Sequence, residues 1–234
     1  MKKIIAAIVV LVCATGMKAQ EVTVGTDVVS SYVWRGGQLS GTSIQPSFDF
    51  SAGGFSVGAW GSVDLLGSVH KELDLTIGYE VQGVLLSITD YWIPVSLAGL
   101  TNSSYFVYDT DKNTGHTFEA TIGYTLPIES CPLSLAWSTN FAGVDGVNAD
   151  GKTAYSSYFE ASYPFNVKDI AVEAAIGLVP WATNFYSTNG FNITNISLKA
   201  GKEIKIADFT IPVFGQFVVN PRTEDAFLVF GVSF

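Results

Sequence analysis

Apolar and polar residues alternate along almost the whole chain after residue 20. In 72–81, Leu73, Leu75, Ile77, Tyr79 and Val81 alternate with Glu72, Asp74, Thr76, Gly78 and Glu80. In 43–52, Ile44, Pro46, Phe48, Phe50 and Ala52 alternate with Ser43, Gln45, Ser47, Asp49 and Ser51. In 117–126, Phe118, Ala120, Ile122, Tyr124 and Leu126 do the same against Thr117, Glu119, Thr121, Gly123 and Thr125. A period of two sends successive side chains to opposite faces of a strand. The pattern therefore predicts β-structure with one apolar and one polar face, and no convincing helix follows residue 20. Strands are predicted near 22–34, 44–53, 54–65, 72–81, 84–92, 117–126, 132–141, 153–163, 169–178, 192–201, 209–219 and 225–234. Most have the roughly 9–11 residues that a tilted membrane-crossing strand needs.

The connections alternate in length. Those at 52–54, 82–83, 127–131, 164–168 and 202–208 are short, whereas 94–116, 142–152 and 179–191 are longer and rich in Asn, Asp, Gly, Ser and Thr. Two more, 35–43 and 220–224, are modest in length. Short turns at one end and longer loops at the other are the habit of outer-membrane barrels.

Two all-β architectures compete. A soluble sandwich buries its apolar face against a second sheet, and a membrane barrel turns it to lipid. Three features favour the barrel. The apolar register carries a single charge, Asp90, placed near a strand end. Aromatics gather where strands end: Tyr79, Tyr124 and Tyr163 at one level, and Tyr32, Trp34, Trp92 and Phe141 at the other. Amphipathic rings prefer the headgroup level, so these two sets, with Phe234, are read as girdles. Finally, Gly25, Gly58, Gly78, Gly123, Gly177, Gly201 and Gly231 all fall on the polar face, where small residues relieve crowding inside a closed barrel. The prediction is an all-β, transmembrane, up-and-down antiparallel β-barrel of about twelve strands.

The first nineteen residues are set apart. Lys2 and Lys3, then the apolar Ile4 to Val12, then Met17-Lys18-Ala19 have the layout of a secretory signal peptide. The expected organisation is a signal peptide over 1–19 and the barrel over 20–234. Cleavage after Ala19 removes three lysines and no acid, taking the net charge from -9 to -12. It also removes Cys13, leaving Cys131 with no partner for an internal disulfide. A pI near 4.5 lacks the basic footprint of a nucleic-acid binder.

The last strand alternates Ala226, Leu228, Phe230, Val232 and Phe234 with Phe227, Val229, Gly231 and Ser233. It resembles the C-terminal signal by which outer-membrane barrels meet their assembly machinery. A narrower resemblance runs through Ser30-Ser31-Tyr32-Val33-Trp34-Arg35-Gly36, Gln45-Pro46-Ser47-Phe48-Asp49-Phe50, Gly58-Ala59-Trp60-Gly61-Ser62 and Glu72-Leu73-Asp74-Leu75-Thr76-Ile77-Gly78-Tyr79. It returns at 155–165. These segments are similar to the TorF-type porin family of small exported barrels. The resemblance spans most of the chain after residue 20 and implies a modest outer-membrane barrel with a pore role; it carries no catalytic signature.

The polar face holds the informative chemistry. Asp27, Asp49, Asp64, Glu72, Asp74, Glu80, Glu119, Glu160 and Glu173 point inward, against Arg35 and Lys199. A lumen lined by carboxylates attracts cations. The competing reading is a closed network in which Arg35 and Lys199 pair with these acids, while Trp60, Tyr91 and Tyr158 fill the interior. Twelve strands lie between the filled eight-stranded and the water-holding sixteen-stranded barrels. His70 and His116 are the only histidines, with Asp64, Asp109 and Asp111 in nearby loops; solvated loop residues are a simpler account than a rim metal site.

The expectation is a narrow porin in the outer membrane of a Gram-negative cell, passing small cationic or neutral solutes. It would be a monomer with neither cofactor nor metal, contacting lipid and, through Phe234, the assembly machinery. The alternatives are a non-conducting structural or surface-binding barrel using its external loops, and a lipid-modifying barrel enzyme. No inward His-x-Ser pattern supports the enzyme, and none is expected.

Overall fold

Every strand leaves its backbone N–H and C=O groups to be paired by neighbours, and twelve strands achieve this here by closing into a ring. The computed structural model describes residues 20–67, 70–94, 104–108 and 114–234. The leader expected at 1–19 and the loop residues Asp109 and Asp111 lie outside the described residues. The strands in chain order are β1 (Glu21–Val29), β2 (Tyr32–Trp34), β3 (Gly37–Ser40), β4 (Ser43–Ala52), β5 (Phe55–Asp64), β6 (Lys71–Val81) and β7 (Val84–Trp92). They continue with β8 (His116–Thr125), β9 (Ser134–Gly143), β10 (Ser157–Val167), β11 (Ile170–Val179), β12 (Asn192–Ile206), β13 (Phe209–Asn220) and β14 (Asp225–Ser233).

From β4 to β14 each strand pairs antiparallel with the next, and β1 closes the ring between β14 and β4. Closure is completed by the last residue: Phe234 N–H donates to the Thr26 carbonyl at 3.0 Å, and Thr26 N–H donates to the Phe234 carbonyl at 3.1 Å. No helix occurs among the described residues. The tight turns Gly53-Gly54 and Gln82-Gly83 have positive φ at both positions, the geometry that matches the twist of a two-residue hairpin.

Three predicted boundaries are corrected. The strand expected at 22–34 stops at Val29, and Tyr32–Trp34 pairs with Gly37–Ser40 in a separate hairpin. The strand expected at 153–163 lies at Ser157–Val167, because 153–156 is held by the loop: Thr153 bridges Val147, and Ala154 N–H donates to the Gly146 carbonyl. The strand expected to end at 201 runs on to Ile206, where Lys202 reaches Asp169 of the neighbouring turn at 2.8 Å.

The distribution of side chains is inverted relative to a soluble domain. Val24, Phe48, Ile77, Leu86, Ile122, Phe217 and Leu228 are exposed on the outside, while Ser43, Ser62, Ser138, Ser197, Asn140 and Thr194 are buried within. Soluble monomers rarely leave so continuous an apolar face uncovered. Inside, large rings lie across neighbouring glycines. A Cβ at Gly177 would overlap the Tyr158 phenol, and one at Gly231 would overlap the Phe214 ring. Gly177 and Gly231 are thus the floor on which these two inward aromatics rest.

Candidate functional site

The β2–β3 hairpin leaves the wall between β1 and β4, which are neighbours in the ring, and folds into the long-loop half of the lumen. Its turn is Arg35-Gly36, with φ of 50° and 85°, the left-handed pair that a tight hairpin requires. Gly36 lies so close to the Thr194 carbonyl that no Cβ fits. Its carbonyl accepts a hydrogen bond from Asn220 Nδ2 at 3.1 Å, which ties the tip to β13. On the other side, Trp34 meets Tyr91 edge-on at 5.9 Å, and Tyr32 meets Trp60 at 5.3 Å and His70 at 5.7 Å.

Arg35 is the centre of the arrangement. Its guanidinium donates to both oxygens of Glu119, at 2.6 and 2.9 Å, a bidentate pair reaching β8. It also donates to Tyr186 Oη at 2.6 Å, and it lies 4.3 Å from the Trp34 ring centroid and 4.6 Å from that of Tyr158. Tyr91 Oη donates to Glu119 at 2.9 Å, so this carboxylate accepts three hydrogen bonds while only 2% exposed. Burial pushes the Tyr186 phenol up to about 12, with Arg35 pulling the other way. The phenol is therefore a neutral acceptor for Arg35 at ordinary pH.

The hairpin partitions the interior. Towards the long loops lies a chamber of about 390 Å³, walled by Trp34, Tyr91, Phe185 and Tyr186, with Glu72 and Asp145 among its polar groups. A second cavity of about 340 Å³ lies against β9–β13, bounded by Tyr158, Glu160, Glu173, Asn195 and Gln216. Trp34 and Arg35 line both, so the hairpin tip is the wall between them.

The carboxylates predicted to face the lumen divide by level. Glu72, Asp74 and Glu119 are buried beside the hairpin, and one Asp74 oxygen has no hydrogen-bond partner. Glu160 accepts from Tyr158 Oη at 2.6 Å and from Asn195 Nδ2 at 3.2 Å. Asp49, Glu80 and Glu173 are exposed towards the short-turn end, and Asp27 is half-buried on β1. Lys199, which the competing closed-network reading pairs with an acid, instead has its ammonium 4.1 Å from the Phe214 ring centroid. Asp64 caps loop backbone, accepting from Gly41 N–H and Leu66 N–H.

Of the predicted girdle, Tyr79, Tyr124, Tyr163 and Phe234 are exposed on the outside of the barrel. Trp92 is half-buried, because Tyr105 folds over it at 5.3 Å. Trp34 and Tyr32 are corrected: they belong to the hairpin and pack inside, where burial against other rings outweighs any exterior position. The sequence hint was weak: Gly36 suits a tight turn, but Arg35-Gly36 is not one of the dipeptides that mark a two-residue hairpin.

The two histidines do not meet. His70 Nε2 lies 3.0 Å from Glu72, next to Tyr32. His116 lies under Tyr108, with Nδ1 2.8 Å from Asp90 and Nε2 2.7 Å from the Tyr105 carbonyl. Asp90, the one charge on the predicted apolar register, is thereby partnered. No group of three or more His, Cys, Asp or Glu arranged for a metal occurs among the described residues.

A family model described as "Bacterial protein of unknown function (Gcw_chp)" matches residues 13–227. No curated protein matches the chain.

Proposed function

The chain belongs to the Gcw_chp family, and we propose that it is an outer-membrane β-barrel of a Gram-negative cell whose lumen is closed by its own hairpin and whose loop-end chamber holds a small ligand. The observation that carries this reading is the Arg35–Glu119 pair, buried where the hairpin crosses the lumen. A passive porin needs a continuous water path, and here that level is occupied by Trp34, Arg35, Tyr158 and Tyr186. The surface-binding alternative thereby gains over the narrow channel, with the binding site moved from the loops into the barrel mouth.

Membrane residence is supported by the exposed apolar belt, by Tyr79, Tyr124 and Tyr163 at the short-turn end, and by the leader pattern of 1–19. In this reading the short turns face the periplasm and the long loops face outward. Phe234 serves the assembly machinery, and the barrel is a monomer that binds no nucleic acid. The reading assigns no catalysis. His116 gives the lipid-modifying alternative little support, since each of its ring nitrogens already has a partner.

A regulated, cation-preferring passage of the TorF type is the second reading. It is favoured by the wall behind the hairpin, where Ser43, Ser62, Ser138 and Ser197 offer a wettable surface once the hairpin withdraws. Cell fractionation together with planar-bilayer recording tests the first reading. Protein verified as folded should co-purify with outer membranes and give no conductance steps. Steady conductance from the unaltered chain would overturn the closed lumen, and recovery in the soluble fraction would overturn the membrane assignment.

A further inference from the structure

The loop-end chamber combines ring faces with more negative charge than its surroundings balance. Glu72 and Asp145 line it, while Asp74 and Glu119 lie behind on β6 and β8. Glu72 is 7% exposed, Asp74 9% and Glu119 2%. Asp145 is held as an anion acceptor by Ser156 N–H and Asn140 Nδ2. Against these four carboxyl groups, Arg35 is the one cationic residue among those lining the chamber, and it is committed to Glu119. His70, beside Glu72, offsets at most one more. Glu72 and Asp145 have hydrogen-bond partners but no permanent cation opposite them, so this region favours an incoming cation and disfavours an anion.

Two further features point to a ligand rather than to a charged wall alone. Thr194, which lines the chamber, is 2% exposed, and its hydroxyl has no hydrogen-bond partner. It is the extra residue of a bulge, opposite the step between Gly177 and Leu178, so its side chain is re-aimed by an irregularity in the sheet. The chamber is also walled by Trp34, Tyr91, Phe185 and Tyr186, whose faces attract cations. Arg35 already shows how this region holds a cation: between the Trp34 and Tyr158 rings and against a carboxylate.

We propose that the chamber binds a small organic cation, an ammonium group carried on a compact apolar body, with the ammonium directed to Glu72 and the body against Trp34 and Phe185. At about 390 Å³ the chamber is at the lower end of the range for small-molecule sites. This inference rests on the closed, ligand-holding reading above and names the chemistry of its ligand.

Calorimetry on the folded full chain in detergent micelles tests it, with choline, its neutral isostere 3,3-dimethylbutan-1-ol, glucose and acetate as probes. Choline should bind at least about tenfold more tightly than the isostere, consistent with the strength of a desolvated cation–ring contact. Glucose and acetate should be weaker still. Glu72→Gln, which retains an acceptor for His70, should lower choline affinity about tenfold, with a cooperative unfolding transition in micelles showing that the variant is folded. Phe185→Leu should weaken choline more than the isostere. Equal binding of choline and the alcohol, preference for glucose, or no binding of choline at tens of millimolar would overturn the proposal. These outcomes are separable from failure of the closed-lumen reading, which bilayer conductance reports independently.

Discussion

The long-loop half and the short-turn half of the lumen are walled by the same strands, with the same alternation of inward polar residues, yet they are filled in opposite ways. Around the hairpin, Glu72, Asp74 and Glu119 are buried among Trp34, Tyr91 and Tyr158, and Arg35 binds across the space. Near the short turns, Asp49, Glu80, Glu173 and Lys199 are exposed, and no ion pair joins Glu173 to Lys199 although they face each other across β11 and β12. One cause accounts for the difference. A twelve-stranded ring is wider than the eight-stranded barrels that side chains fill; here the half that receives a hairpin is a packed interior and the other a solvated cup. Charge has different weight in the two: a solvated carboxylate contributes little, whereas a buried one must be paired.

Six changes break or sharpen that comparison. The largest effect should come from removing the hairpin. Val29 and Ser43 are register partners across β1 and β4, so replacing 30–42 with an Asn-Gly turn preserves the wall. Planar-bilayer recording should then pass from silence to cation-preferring conductance; persistent silence would mean that something other than the hairpin blocks the lumen. Next, Glu119→Ala strands a buried guanidinium and should cost about 3–5 kcal/mol, read from urea unfolding in micelles. Glu173→Ala in the solvated cup should cost less than about 1 kcal/mol by the same measurement.

Effects smaller than that of Glu119→Ala separate the glycines. Gly177→Ala drives a methyl into the Tyr158 ring and should cost about 1–3 kcal/mol. Gly201→Ala, whose new Cβ would have no neighbour nearer than 3.7 Å, should be neutral or slightly stabilising in the same unfolding experiment. Least of all, Lys202→Ala loses only the solvent-exposed contact with Asp169 on the outside of the short-turn end, and the midpoint should not move measurably.

How far these features could be read from sequence follows the same division. The ring of twelve, the direction of each face and the inward glycines follow from a period of two, because parity alone assigns every side chain. The hairpin escaped because Tyr32 and Trp34 continue the parity of Val24 and Val28, so the pattern runs on through a strand end that only the backbone marks. An aromatic at the end of an alternating run looks the same whether it faces headgroups or the lumen. Arg35 was identifiable as a counter-ion, but its partner was not: periodicity places Glu119 inside without giving its height relative to Glu72 or Asp74. The aromatic chamber was equally hidden, since Phe185 and Tyr186 belong to a loop whose path depends on Arg35. Lys202 looked like turn chemistry beside Gly201, although a lysine at the rim can continue an exterior strand.

Amide hydrogen exchange on the folded chain in micelles tests the internal hairpin most directly. A pair of strands this short is at best marginally stable in water, so protection of its amides requires the lumen around it. The amides of Val33, Gly36 and Gly37 should exchange as slowly as those of the β8 and β12 wall, and Glu119→Gln should speed the hairpin selectively. Exchange of 32–40 at the rate of a solvated loop, with the wall fully protected, would contradict a hairpin packed inside the barrel.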